Sequence, residues 1–79
     1  MAVVRLFAAA RIAAGTGSDR LPGTTIDEVL AAAIDRYDSG FAEVLPGCQV
    51  WLNGEPAGGG QRVADEDEVA ILPPVSGGG

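Results

Sequence analysis

Histidine and lysine are absent from this chain of 79 residues, and there is a single cysteine, Cys48. Without histidine the chain lacks the usual general base, the commonest zinc ligand and the side chain that most often switches charge between pH 5 and 8. One cysteine excludes an internal disulfide and a multi-cysteine metal site. Aromatic residues are only 5% of the chain, so a core has to be built mainly from Val, Leu, Ile and Ala, which the 47% apolar content permits. No apolar run is long enough to span a bilayer. Residues 1–14 are apolar, but Arg5 and Arg11 interrupt them and no cleavage pattern follows, so a cytoplasmic location is expected.

What is present fits one small domain, near the lower size limit for a single unaided core. Eleven acidic residues against five arginines give a net charge of −6. Such a surface repels nucleic acid and anionic membranes and attracts basic protein partners. A chain this small, without histidine, is poorly equipped to run chemistry alone.

Along the chain, residues 2–8 (AVVRLFA) read as a strand. Val4, Leu6 and Ala8 share one face, and Val3, Arg5 and Phe7 share the wetter one. Ala9 to Gly17 is a small-residue connection in which Ala8–Ala14 has the propensity for a short helix. Ser18–Leu21 reads as a returning strand stopped by Pro22-Gly23. The clearest helix begins at Thr24 or Thr25, with Asp27 and Glu28 in its first turn and Glu28 placed as capping-box partner of Thr25. Its apolar stripe is Ile26, Val29, Leu30, Ala33, Ile34 and Tyr37, and Gly40 is the expected stop. A short helical turn at residues 41–45 leads to a strand at 48–52, and Asn53-Gly54 signals a tight hairpin. Gln61-Arg62-Val63 and an acidic turn at 65–67 precede the last strand, residues 68–73. The order predicts an α+β, ubiquitin-like β-grasp fold: a mixed sheet of four to five strands with one main helix packed on one face. The expected domain is 1–75, with 76–79 a flexible glycine tail.

The tail, Gly77-Gly78-Gly79, has two readings. Glycine-rich ends are common as disordered tails or linkers. Glycines that directly follow a final strand through Pro73-Pro74-Val75-Ser76 also suit a terminal carboxylate used as an acyl group. Glycine lets a tail thread a narrow channel, and two prolines favour an extended exit with a lower ordering cost. A carboxylate is a poor electrophile, so a partner has to adenylate it with ATP. Sulfur or an amine can then displace the adenylate.

At this point the chain resembles a known family. The stretch from Asp67 to Gly78 is similar to the DEVAxxPPVxGG ending of MoaD, the small sulfur-carrying subunit of molybdopterin synthase, and of related MoaD/ThiS-type carriers. Phe7-Ala8, Arg11 and Gly15 match an FAxxRxxxG segment, and Asn53 follows its strand as in the family's VN turn. The resemblance covers nearly the whole chain. It implies a non-catalytic sulfur carrier with no bound cofactor or metal, ATP being used by a MoeB-type adenylating enzyme. It also implies sulfur loading from a persulfide donor such as a sulfurtransferase or cysteine desulfurase, and delivery to a MoaE-type large subunit or another sulfur-acceptor enzyme. The family ends at the second glycine. Either Gly79 carries the thiocarboxylate on a longer tail, or it is trimmed and Gly78 does.

Strand alternation has two readings here. Phe7, Trp51 and Leu72 lie on the sheet face away from the helix, as an apolar patch for a partner, or a one-residue slip in parity puts Trp51 in the core. Arg11 is expected to contact a partner carboxylate or pin the loop after the first strand. Cys48, with no base or cation nearby in sequence, reads as a core residue, and the carboxylates at 65–68 as a solvated turn. Three functions remain open: a sulfur carrier for molybdopterin or for another pathway (natural-product, cysteine or thiamine biosynthesis, tRNA thiolation), a ubiquitin-like protein modifier, or a plain interaction domain with a tail.

Overall fold

The computed structural model describes residues 1–37 and 39–73. The expected domain boundary after residue 75 and the tail at 74–79 lie outside the described residues.

Five strands form one mixed sheet: β1 (Ala2–Leu6), β2 (Ser18–Leu21), β3 (Gln49–Leu52), β4 (Glu55–Pro56) and β5 (Glu68–Leu72), in the order β2-β1-β5-β3-β4. β1 and β5 pair in parallel at its centre, with Val4 level with Val69 and Leu6 with Ile71, and the other neighbours are antiparallel. The alternation of β1 and β5 explains the burial. Ala2, Val4, Leu6, Val69 and Ile71 are all at most 1% exposed, and they face α2 (Ile26–Tyr37) with its buried Ile26, Val29 and Ala33. Each large side chain buried this way stabilises the fold by about 1.5–3 kcal/mol. The expected β-grasp arrangement is the one observed.

α2 starts as its sequence requires, with one refinement. Thr25 Oγ1 accepts the Glu28 N–H at 3.2 Å, but the Glu28 carboxylate reaches past Thr25 to accept the Thr24 N–H (2.8 Å) and hydroxyl (3.0 Å). The amides of Ile26 and Asp27 donate to the carbonyls of Gln61 (3.0 Å) and Gly59 (2.9 Å), so the glycine-rich segment closes the start of the helix. At the other end, Tyr37 Oη and Arg36 Nε both donate to Asp19 Oδ2, at 2.7 and 2.8 Å, tying α2 to the edge strand β2.

Three expectations change. Gly40 does not stop α2. That helix ends at Tyr37, and Gly40 lies inside α3 (Ser39–Val44), whose direction carries Phe41 into the core (0% exposed), against the edge of the Tyr37 ring at 5.1 Å. Ile34 is 39% exposed, because the buried stripe is centred on Ile26, Val29 and Ala33 and leaves it at the margin. The first strand, expected over residues 2–8, stops at Leu6: Ala8, expected on its buried face, is exposed and opens the short helix that its propensity allowed, α1 (Ala8–Ala14), which packs on α3. A 3₁₀ turn at Leu45–Gly47 follows α3.

Two backbone positions are constrained. Asn53 and Gly54 have φ of 51° and 86°, the positive pair a type I′ hairpin needs. Gly23 has φ of 142°, and a Cβ there would lie 2.7 Å from the Val29 nitrogen. Gly23→Ala is therefore expected to lower stability by more than about 1 kcal/mol, read from the urea midpoint. Ala8 has φ of 52°, a left-handed value that costs a residue with a Cβ roughly 1–2 kcal/mol. Ala8→Gly should raise the midpoint, and Ala8→Val should lower it.

Acid should unfold the chain through identifiable groups. Asp19 is held below the usual carboxylate range first by the Tyr37 hydroxyl, Asp67 by the Ala64 N–H and then Asn53, and Glu28 by the Thr24 N–H and hydroxyl. Because the folded values are depressed, the stability they contribute is present above the unfolded values and lost as pH falls through the folded ones. The urea midpoint is expected to hold from pH 7 to 5 and to drop below roughly pH 4, with Asp19→Asn showing a shallower drop.

Candidate docking face and carboxyl-terminal exit

Side chains of odd parity on β1 and β3 and even parity on β5 project from the sheet face opposite α2. Register brings them into rows: Ser18, Arg5, Ala70, Trp51 and Pro56 lie side by side across the five strands. In the next row Leu72 is level with Gln49, and Phe7 continues β1 beside it, its N–H donating to Ile71 O at 3.1 Å. Phe7 is 45% exposed, and Trp51 and Leu72 are half-buried. The structure therefore brings the three expected residues onto one face. Trp51 is held there by Nε1 donating to Gln49 Oε1 at 3.2 Å along its own strand. Ala70, level with both Arg5 and Trp51, is the small residue next to Leu72 on this face, and Val3 lies further along β1, level with Glu68. Arg5 is drawn to Glu68 (3.5 Å) on the neighbouring strand.

Pro73, the last described residue, is exposed and ends the sheet. In the β1–β5 ladder the Val3 N–H donates to Asp67 O and the Phe7 N–H to Ile71 O. Continuing that pattern, the N–H of residue 73 is the donor due at Phe7 O. Proline has none. The Phe7 carbonyl instead accepts the N–H groups of Ala10 (3.1 Å) and Arg11 (3.4 Å), which begins α1. One residue thus stops the ladder and leaves an acceptor for the helix that follows β1. The other tail residues named from the sequence (Pro74, Val75, Ser76, Gly77, Gly78, Gly79) lie outside the described residues.

Arg11 is exposed on α1, and its side chain lies over Gly17, with Nε 3.3 Å from where a Cβ would stand. Cys48 is half-buried against the core, its thiol donating to Val44 O at 3.4 Å, and burial pushes its pKa up. In the acidic turn, Asp67 is tied to Ala64 N and Asn53 Nδ2, and Asp65 pairs with the Met1 amino group at 2.8 Å. Among the described residues no cluster of three metal-ligating side chains occurs, and no helix is long and apolar enough to cross a membrane. Sequence reasoning missed Ile12, 83% exposed on α1. Its only signal was one branched apolar residue among alanines.

No curated protein matches the sequence. Among solved structures, small archaeal modifier protein 1 from Methanosarcina acetivorans is 32% identical with a TM-score of 0.86, the match covering 98% of this chain and 95% of that one. The Amycolatopsis orientalis BexX/CysO complex contains a chain 25% identical, TM-score 0.81, with coverage of 99% and 100%. The Helicobacter pylori complex of subunits 1 and 2 of molybdopterin-converting factor contains one 26% identical, TM-score 0.70, with coverage of 98% and 97%. Residues 4–78 match the model of the ThiS family. The chain, with its β-grasp sheet and its last strand running out at Pro73, belongs to the ThiS family of ubiquitin-like sulfur carriers, which are small non-catalytic proteins.

Proposed function

We propose that the carboxylate of Gly79, or of Gly78 after trimming, is the group this protein carries. A MoeB-type partner joins it to the α-phosphate of ATP with release of pyrophosphate. The terminal sulfur of a persulfide donor, supplied by a sulfurtransferase or cysteine desulfurase, then displaces AMP at the carbonyl carbon. A thiol cleaves the resulting S–S bond and leaves the thiocarboxylate. The protein binds no ATP itself; it presents a substrate terminus. The observation that carries this reading is the ladder stop at Pro73, which releases the chain from the sheet beside the Phe7–Leu72–Trp51 face. Residues 73–77 enter the partner's channel, and Phe7, Arg11, Trp51 and Leu72 meet its surface. The DEVAxxPPVxGG ending favours the small subunit of molybdopterin synthase, working with a MoaE-type subunit, as the specific role.

A second reading is a ubiquitin-like modifier conjugated through the same glycine, favoured by the likeness to small archaeal modifier protein 1. Intact-mass analysis of protein purified from its own host separates the two. The sulfur-carrier reading expects a species in which one carboxyl oxygen is replaced by sulfur. Isopeptide-linked adducts with no thiocarboxylate would transfer the assignment to the modifier. A variant lacking Gly78 and Gly79 should keep the wild-type urea midpoint and lose all loading. If trimming precedes activation, a variant lacking only Gly79 should form acyl-adenylate with purified adenylating enzyme faster than the full chain does.

A further inference from the structure

We infer that the docking surface turns the corner of the sheet onto α1, where Ile12 inserts into an apolar, carboxylate-bearing area of the partner enzyme. The inference rests on the reading that a partner covers the Phe7–Leu72–Trp51 face. Ile12 is the most exposed of the large apolar side chains among the described residues, at 83%. Its helical neighbours one turn back, Ala8 and Ala9, are exposed and small, and they follow Phe7 directly. Exposed apolar residues therefore lead from Phe7 through Ala8 and Ala9 to Ile12, with Arg11 exposed beside them.

Charge decides the kind of partner. The protein carries −6 overall, yet no acidic residue precedes Asp19. Residues 48–54 and 69–73, which form β3 and most of β5, hold none either. This corner therefore carries Arg5 and Arg11; the acidic residues on the elements packed against β1 and α1 are Glu68 on β5, Asp19 on β2, which is paired with Arg36, and Glu43 on α3. Glu68 already faces Arg5, whereas Arg11 enters none of the ion pairs among the described residues. Net charge alone points to a basic contact. The local arrangement points to an apolar contact with carboxylates near Ile12 and Arg11, complementary in sign to this corner and opposite to what the whole chain attracts at a distance.

The test measures affinity for the adenylating enzyme encoded in the same genome, by calorimetry at two salt concentrations. The variants are Ile12→Ser, Ile12→Glu, Ile12→Lys and Leu72→Glu, with circular dichroism to verify folding. Ile12 is exposed, so its variants should fold as the wild type does. Ile12→Ser is expected to weaken binding about tenfold, the loss of one buried aliphatic side chain. Ile12→Glu should weaken it further and Ile12→Lys less, with the gap between them narrowing at high salt. Wild-type affinity for all three Ile12 variants alongside a weakened Leu72→Glu overturns the inference and leaves the sheet-face reading standing. Tighter binding by Ile12→Glu than by Ile12→Lys overturns the charge assignment. Wild-type affinity for Leu72→Glu as well removes the reading beneath both.

Discussion

Parallel pairing of β1 with β5 brings opposite ends of the chain together, and the rest of the architecture is arranged around it. Neither strand can bury its inner face alone. Together they present Val4, Leu6, Val69 and Ile71 as one apolar surface for α2. The pairing is non-local, so its closure entropy has to be offset by burial across the sheet and from the three helices at once. The supporting contacts are correspondingly spread out. Carbonyls of residues 59 and 61 hold the first amides of α2, Asn53 and Asp67 hold the turn that starts β5, and Asp19 holds the end of α2. A domain of this size has little core to spare, and these polar ties fix the loops that the core does not reach.

The sheet was readable in the sequence because strand alternation and turn chemistry are local signals. Val4, Leu6, Val69, Ile71 and Leu52 announced the inner face, and Asn53-Gly54 announced the hairpin. Alternation alone left Trp51 either outside with Phe7 and Leu72 or inside, and the pairing of Trp51 with Ala70 decides for the outer face. The helical connections were harder. Nothing local marks Phe41 as a core residue, because its burial depends on α3 forming directly after α2, a matter of tertiary packing that overrides the propensity of Gly40 to end a helix. Ile34 fails for the related reason that a 3.6-residue period defines a stripe but not its centre. The role of Pro73 toward Phe7 was visible only once the parallel register was known, since the missing donor and the freed acceptor are distant in sequence.

The two faces of the sheet differ in composition and exposure. The inner face is committed to stability, with Val4, Val69 and Ile71 wholly buried. The outer face keeps Trp51 and Leu72 half-exposed beside Ala70, a small residue that leaves room between them. Apolar surface left in water on a small acidic protein risks self-association. The overall negative charge opposes that by mutual repulsion.

The central position of β5 also has a mechanical meaning. A partner that grips the chain beyond Pro73 and draws it along the strand direction loads the hydrogen bonds to β1 and β3 simultaneously, in shear. An edge strand pulled outward would give up its bonds one after another, as a zipper does. A carrier whose handle continues an interior strand can be seized, held under tension and let go repeatedly without its fold opening at the point of attachment.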